Sequence, residues 1–337
     1  MPSDAIQPSN TNAGDPARVR LSVVVPCFNE EAVLEETHRR LGSACRAVVG
    51  TDHEILYVDD GSGDRTWTML SALADSDPHV VAVALSRNFG HQLALSAGLS
   101  LARGERILMI DADLQDPPEL LGEMMSRMDA GADVVYGERT EREGESAFKT
   151  SSASLFYRLL NRMTDIDIPE NVGDFRLVSR RVLDALMAMP EQHRFVRGLV
   201  AWLGFRQEAL PYVRQARFAG ETKYPLRKML RLATDAITGF SVRPLRVSMF
   251  FALIAFAVAF AIALYALGAW LAGDTVRGWT SLTLVVSLFA GVQLLCLGIM
   301  GEYLGRMFME LKRRPLFVVR EVKTGEARNI VESPGGR

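Results

Sequence analysis

The chain has 337 residues, room for one large domain or two ordinary ones, and its 38 Lys+Arg against 40 Asp+Glu leave a formal net charge of −2. That balance gives no support to nucleic acid as a partner held through overall basicity. Three scattered cysteines, Cys27, Cys45 and Cys296, exclude a disulfide framework and a zinc site, and 48% hydrophobic with 23% charged residues excludes collagen, coiled coil and bulk disorder.

Residues 1–19 read as a disordered tail, polar and rich in Pro and Asn, with no basic-plus-apolar signal segment. From 20 to 225, strand-like and helix-like patterns alternate. The strand-like runs are 21–27, 54–59, 80–85, 106–110 and 133–136. Each is continuously apolar rather than alternating, as expected of strands buried on both faces of a parallel sheet. Between them Val33, Leu34, Leu41, Cys45 and Val48 recur at helical spacing, Asp64 stands as the cap of a stretch holding Trp67, Leu70 and Leu73, and Pro117-Pro118 opens another helix. The order predicts an α/β fold with a mostly parallel, Rossmann-like sheet, whose ligands sit outside the carboxyl ends of the strands.

The polar motifs fall at those ends. They are Pro26-Cys27-Phe28-Asn29-Glu30, then Asp59-Asp60-Gly61-Ser62-Gly63-Asp64, then Ser86-Arg87-Asn88-Phe89-Gly90-His91, and last Asp111-Ala112-Asp113-Leu114-Gln115-Asp116-Pro117. Neither G-x-G-x-x-G nor a P-loop occurs. Asp111 and Asp113, two apart in an extended segment, are expected to point the same way. Two such carboxylates repel unless a cation bridges them, and hard oxygens suit Mg²⁺ or Mn²⁺. Gln115 is a third contact, direct or through water. The bland reading of the pair is helix capping. Asp59 is the first polar residue after its strand and is expected at a base or ribose; Arg87 is either a phosphate ligand or a surface charge, and His91 is read as structural.

Toward the C-terminus, residues 247–273 and 278–301 carry no Asp, Glu, Lys or Arg, and each exceeds the ~20 residues that span a hydrocarbon core. Two buried core helices are the alternative. Arg227, Lys228, Arg231, Arg243 and Arg246 precede them, Arg306, Lys312, Arg313 and Arg314 follow, and the connecting loop holds Arg277 alone. The positive-inside rule then predicts a multi-pass protein of the inner (cytoplasmic) membrane with both termini and the domain at 20–225 in the cytoplasm. The division expected is amphipathic interfacial helices at 226–245, membrane helices at 246–273 and 278–303, and a cytoplasmic tail at 304–337 in which 316–322 is strand-like.

The motifs P-x-F-N-E, D-D-G-S-x-D-x-T, S-R-N-F-G-x-Q and D-A-D-L-Q-D-P, in this order, resemble those of the family 2 inverting glycosyltransferases with the GT-A fold. Within them the chain resembles the polyprenyl-phosphate glycosyltransferases, over residues 20 to 320. The resemblance implies transfer of one sugar from a nucleotide-sugar donor, expected to be UDP-glucose, to a polyprenyl phosphate, expected to be undecaprenyl phosphate, at the lipid bilayer. It implies nucleotide contacts from Pro26, Asn29, Glu30, Asp59, Asp60 and Arg87, and a metal on Asp111, Asp113 and Gln115, with Asp113 also catalytic. Arg139, Lys149, Lys223 and Arg227 are implied as acceptor phosphate contacts, whereas Arg231 and Lys228 suit anionic headgroups. Asp174 occupies the place of an acidic residue near the acceptor and is read as base or orienter, with capping as the plain alternative. A lipid phosphate is already largely dianionic, its second pKa being near ~6, so relief of repulsion matters more than a strong base. The Q-x-x-R-W motif of processive synthases is missing: Gln192 is followed by His193-Arg194-Phe195. Another donor (GDP-mannose or a UDP-linked 4-amino or formamido arabinose) and a non-catalytic membrane scaffold remain as alternatives, and association of the membrane hairpins into a homo-oligomer is expected.

Overall fold

The computed structural model describes residues 19–141, 172–192, 194–214, 243–272 and 278–325. Among them the expected helical stretch at 151–163 and the interfacial segment up to residue 242 are not included. The chain divides into two compact units, one holding a sheet and the other two long apolar helices.

Four continuous apolar runs form the parallel centre of the sheet: β1 (Leu21–Cys27), β2 (His53–Asp59), β3 (Val80–Leu85) and β4 (Arg106–Met109). Nearly every residue in them is buried, which is what an unbroken apolar pattern requires of a strand covered on both faces. β1 pairs with β2 and β4, and β2 with β3, all parallel. Beyond β4 the sheet continues through β6 (Val172–Ser179), β5 (Val134–Glu141) and β7 (Gln207–Val213); at the other side β8 (Val319–Thr324) joins β3. The eight strands run β7-β5-β6-β4-β1-β2-β3-β8. β6 is antiparallel to β4 and β5, β5 and β7 are parallel, and β8 is antiparallel to β3.

Helices cover both faces, as βαβ crossovers demand. α1 (Leu34–Val49), α2 (Thr66–Ser76) and α4 (Leu121–Asp129) bury Leu34, Leu41, Cys45, Leu70, Ala74, Met124 and Met128 in one core with Val23, Val25, Tyr57 and Phe175. α1 follows the dipole rule, with Glu35 and Glu36 in its first turn and Arg46 in its last. On the opposite face α3 (His91–Leu101) lies so close to β1 and β2 that a Cβ on Gly98 would overlap Val24. α5 (Arg180–Ala188) and α6 (Val196–Trp202) complete that unit. Pro118–Leu120 forms a single 3₁₀ turn ahead of α4, so the expected Pro-led helix opens one turn later.

The second unit holds α7 (Arg243–Leu271) and α8 (Trp279–Lys312). They touch where the Cys296 thiol lies 3.4 Å from the Ser248 carbonyl. Large apolar side chains of both are exposed, Phe256 at 69% and Leu294 at 68% among them. Among the described residues one segment, Leu284–Lys312, is long and apolar enough to cross a membrane, while the apolar segment Val247–Ile262 is shorter. Of the two expected spans, the second passes that test among the described residues.

Candidate active site

The chain steps outward through β1, β2 and β3 and then returns to the far side of β1 with β4. The carboxyl ends of β1 and β4 therefore border the switch point where open α/β sheets bind ligands. A cleft of about 320 Å³ opens there. Pro26 and Cys27 at the end of β1, with Phe28 and Glu30 just past it, form one wall, and Asp60 stands after β2. Asn88, Gly90 and His91 follow β3, and Asp111, Ala112 and Asp113 follow β4.

The first two loops strap each other. Asn29, with a φ of 57° that asparagine tolerates better than most residues, accepts the Gly63 N–H on Oδ1 at 2.8 Å and donates its own N–H to Ser62 Oγ at 3.0 Å. The Glu30 N–H goes to Thr66 Oγ1 at 2.9 Å, and the Glu31 N–H to Asp64 Oδ2 at 3.3 Å. Asp64 also accepts the Thr66 N–H at 2.9 Å, from one position ahead of Arg65, which takes the cap position expected of Asp64. Asp60 is buried with its carboxylate on the N–H groups of Phe89 and Gly90, at 2.7 and 2.9 Å, so it ties the second loop to the third. Burial pushes its pKa up, against those two bonds. Asp59 is buried too, accepts the Ser62 N–H at 3.1 Å, and does not line the cleft. Arg87 also lies off the cleft wall, its guanidinium 4.0 Å from the Phe89 ring centroid and its Nη1 on the Asn88 carbonyl.

β4 ends at Met109 and the chain turns at Ala112-Asp113, so Asp111 and Asp113 do not share the extended continuation expected. Both carboxylates still reach the cleft. Leu114 follows with a φ of 59°, an unfavourable state for a branched residue that is kept by its burial. Asp113 Oδ1 accepts the Gln115 N–H at 3.1 Å, whereas Gln115 is itself buried and off the cleft wall. Asp111 Oδ1 is buried and makes no hydrogen bond among the described residues; His91 Nε2 lies 3.4 Å from it. Burial and the charges of Asp174, Asp116 and Asp113 raise the Asp111 pKa to about 6, with His91 opposing. Among the described residues no three His, Cys, Asp or Glu side chains are arranged to hold a metal unaided.

His91, the first residue of α3, bridges that carboxylate to Asp174. Its Nε2 is 3.1 Å from Asp174 Oδ2. Asp174 lies on β6, is 6% exposed, and accepts Gln92 Nε2 at 2.8 Å and Arg197 Nε at 3.3 Å. Burial would raise its pKa, but Arg197, His91 and the buried Arg176 together hold it well below the carboxylate range. Desolvation lowers the His91 imidazole, yet its bond to Asp174 and the Asp111 charge outweigh that and raise it to about 9. Gln92 accepts the Val196 N–H on Oε1 at 3.0 Å, which links α3 to the start of α6. Next to this network, at the ends of β5 and β7, Arg139 donates to the Tyr212 hydroxyl at 3.1 Å and to Asp116 at 3.4 Å. Lys149, Lys223 and Arg227 lie outside the described residues.

Residues 22–187 match the model of glycosyl transferase family 2. A Bacillus subtilis (strain 168) relative named uncharacterized glycosyltransferase YkcC is 47% identical over 304 residues, 90% of this chain and 94% of the relative. The chain belongs to glycosyl transferase family 2. An Escherichia coli (strain K12) relative of this family 2 enzyme, named prophage bactoprenol glucosyl transferase homolog, is 39% identical over 311 residues, 90% of this chain and all of that one. Among solved structures, residues 1–349 of Staphylococcus aureus TarS in complex with UDP-GlcNAc match with a TM-score of 0.46 and 19% identity over 65% of this chain and 66% of that one.

For this glycosyltransferase the structure brings Pro26, Glu30, Asp60, Asp111 and Asp113 to one cleft and keeps Asn29, Asp59, Arg87 and Gln115 off its wall. His91, which sequence reading set aside as structural, stands in the cleft between two carboxylates. Its signal in the sequence is its place in the Ser86–His91 motif at the end of the third strand.

Proposed function

We propose that this family 2 glycosyltransferase moves one sugar, with inversion, from UDP-glucose to undecaprenyl phosphate at the cytoplasmic face of the inner membrane, for cell-envelope glycan synthesis or modification. The observation that carries the reading is the cleft at the switch point, with Asp111 and Asp113 on one wall, in a chain that also bears an outward-facing apolar helix. The polyprenyl phosphate acceptor is supported by relatives named bactoprenol glucosyl transferase, 38% and 39% identical over about nine-tenths of this chain. The orientation is supported by the basic residues flanking the apolar segment.

The residues present fit a divalent cation. The Asp111 oxygen without a hydrogen bond and the crowding of carboxylates around it are relieved by positive charge. Asp111 and Asp113 would hold Mg²⁺ or Mn²⁺, which typically take one or two carboxylates and complete their shell with substrate phosphates. Bound there, the ion supplies charge neutralisation for the departing diphosphate. The Pro26–Glu30 loop and Asp60 shape the donor side of the cleft. Asp174, with three donors on its two oxygens, acts as the orienter of His91 and Arg197 rather than as a base. Arg139, with Lys149, Lys223 and Arg227, receives the acceptor phosphate, which arrives from the bilayer already dianionic.

The test is Asp111→Ala in membranes given labelled nucleotide sugar and undecaprenyl phosphate. Transfer is expected to fall by about 100-fold or more. Chelation of the wild type should do the same and be reversed by Mg²⁺ or Mn²⁺. Full activity in the variant overturns the metal assignment, and mass spectrometry of the lipid product across a donor screen identifies the sugar.

A further inference from the structure

Asp116 ends the loop that carries Asp111 and Asp113, and its side chain is 1% exposed. Its Oδ1 accepts the Tyr212 hydroxyl proton and an N–H from Arg139 Nη2 at 3.4 Å. The Tyr212 oxygen in turn accepts Arg139 Nε at 3.1 Å. A phenol has one proton, so giving it to Asp116 leaves its lone pairs for the guanidinium, and the direction of all three bonds is set. The ring joins three separate elements: the loop after β4, β5 and β7. Thr140 Oγ1 reinforces it by donating to the Tyr212 carbonyl at 3.1 Å.

We propose that Asp116 and Tyr212 are positioning residues that aim the Arg139 guanidinium at the acceptor phosphate. The inference rests on the reading of Arg139 given above. Among the described residues Nε and one Nη2 proton are occupied by the ring; the remaining protons of the fork are left for an anion. Arginine side chains lose much rotamer freedom when they bind, and holding the fork in place beforehand removes that loss from the binding step. A lone buried carboxylate beside Arg139 would cancel its charge. Arg214, just past β7, is a second guanidinium whose charge acts on both Arg139 and Asp116.

β6 supplies a means of separating aim from scaffold. Gly173 faces Arg139, and a methyl group there would overlap the Arg139 Nη2 atom at the far end of that flexible side chain. Gly173→Ala should therefore move the guanidinium and leave the Asp116–Tyr212 bond in place.

The experiment measures transfer by the full chain in detergent micelles, varying undecaprenyl phosphate and nucleotide sugar separately, for Gly173→Ala, Tyr212→Phe, Asp116→Asn, Arg139→Lys and Arg139→Ala. The first three are expected to raise KM for the lipid phosphate about tenfold, roughly 1.4 kcal/mol, with KM for the donor within about twofold. Arg139→Lys should have a similar effect alone and add little in the Tyr212→Phe background, since the two act as one unit. Unchanged acceptor KM in Gly173→Ala and Tyr212→Phe, with Arg139→Ala impaired, overturns the positioning role alone. Equal rises in both KM values together with a lowered Tm mark a structural pin and overturn it as well. Arg139→Ala with wild-type acceptor KM overturns the reading beneath it and this inference with it.

Discussion

Gly61 has a φ of 70°, and a methyl group on it would come 2.7 Å from the Arg87 carbonyl carbon and the Asn88 nitrogen, both backbone atoms that cannot swing aside. The close approach of these two loops is what lets Asp60 reach the Phe89 and Gly90 N–H groups. Gly61→Ala should lower unfolding stability by about 2 kcal/mol, through the left-handed backbone and the contact together, and a shifted urea midpoint in detergent would register it. The Asp-Gly-Ser-Gly motif was legible as a strand-end motif, but its work as a strap was not. The partners of Asn29, Glu31 and Asp60 lie about 30 or more positions away in the chain and come together only when β1, β2 and β3 align. Asp111 and Asp113 were legible because an apolar strand delivers them; their turn geometry was not, since the φ of Leu114 is imposed by packing.

At the scale of elements, β1 to β5 were readable because long β-branched runs admit few other buried arrangements. β6 escaped notice: Val172–Ser179 places Asp174 and Arg176 inside the sheet, where each is buried among charged partners that no local pattern reveals. β7 carries Pro211, which an edge strand accepts and which obscures the pattern. β2 and the turn before β3 bring two imidazoles together, His53 stacked on His79 with ring centroids 4.4 Å apart. Burial first and then His79 lower the His53 pKa; burial lowers that of His38, 3.2 Å from the Tyr57 hydroxyl, although Asp77 opposes it. Both histidines bind protons more weakly folded than unfolded, where the value is near ~6.5. The stability they contribute is present above that value and is lost as pH falls below it. Urea midpoints at pH 7.5 and 5.5 should therefore drop toward acid, and drop less in His38→Gln/His53→Gln. An equal drop in wild type and variant would rule these two residues out as the cause.

Across the whole molecule, the two outermost strands of the sheet are β7 and β8, the strands that precede and follow the apolar helices in the chain. β8 seals β3 through five registered residue pairs from Val81 to Leu85, and Arg320 lies 5.7 Å from the Trp67 ring centroid on α2. β3 itself, Val-Val-Ala-Val-Ala-Leu, has no charge, no proline and no bulky polar side chain to discourage another strand from docking. Trimming the chain at residue 224 to obtain a water-soluble enzyme would thus remove more than the apolar helices. It would bare an uncharged, self-complementary hem, and light scattering should find that fragment as multimers at micromolar concentration. Adding back a peptide of residues 316–325 should return it to single molecules. In this fold a single cut ahead of the apolar helices also takes away the finished rim of the sheet.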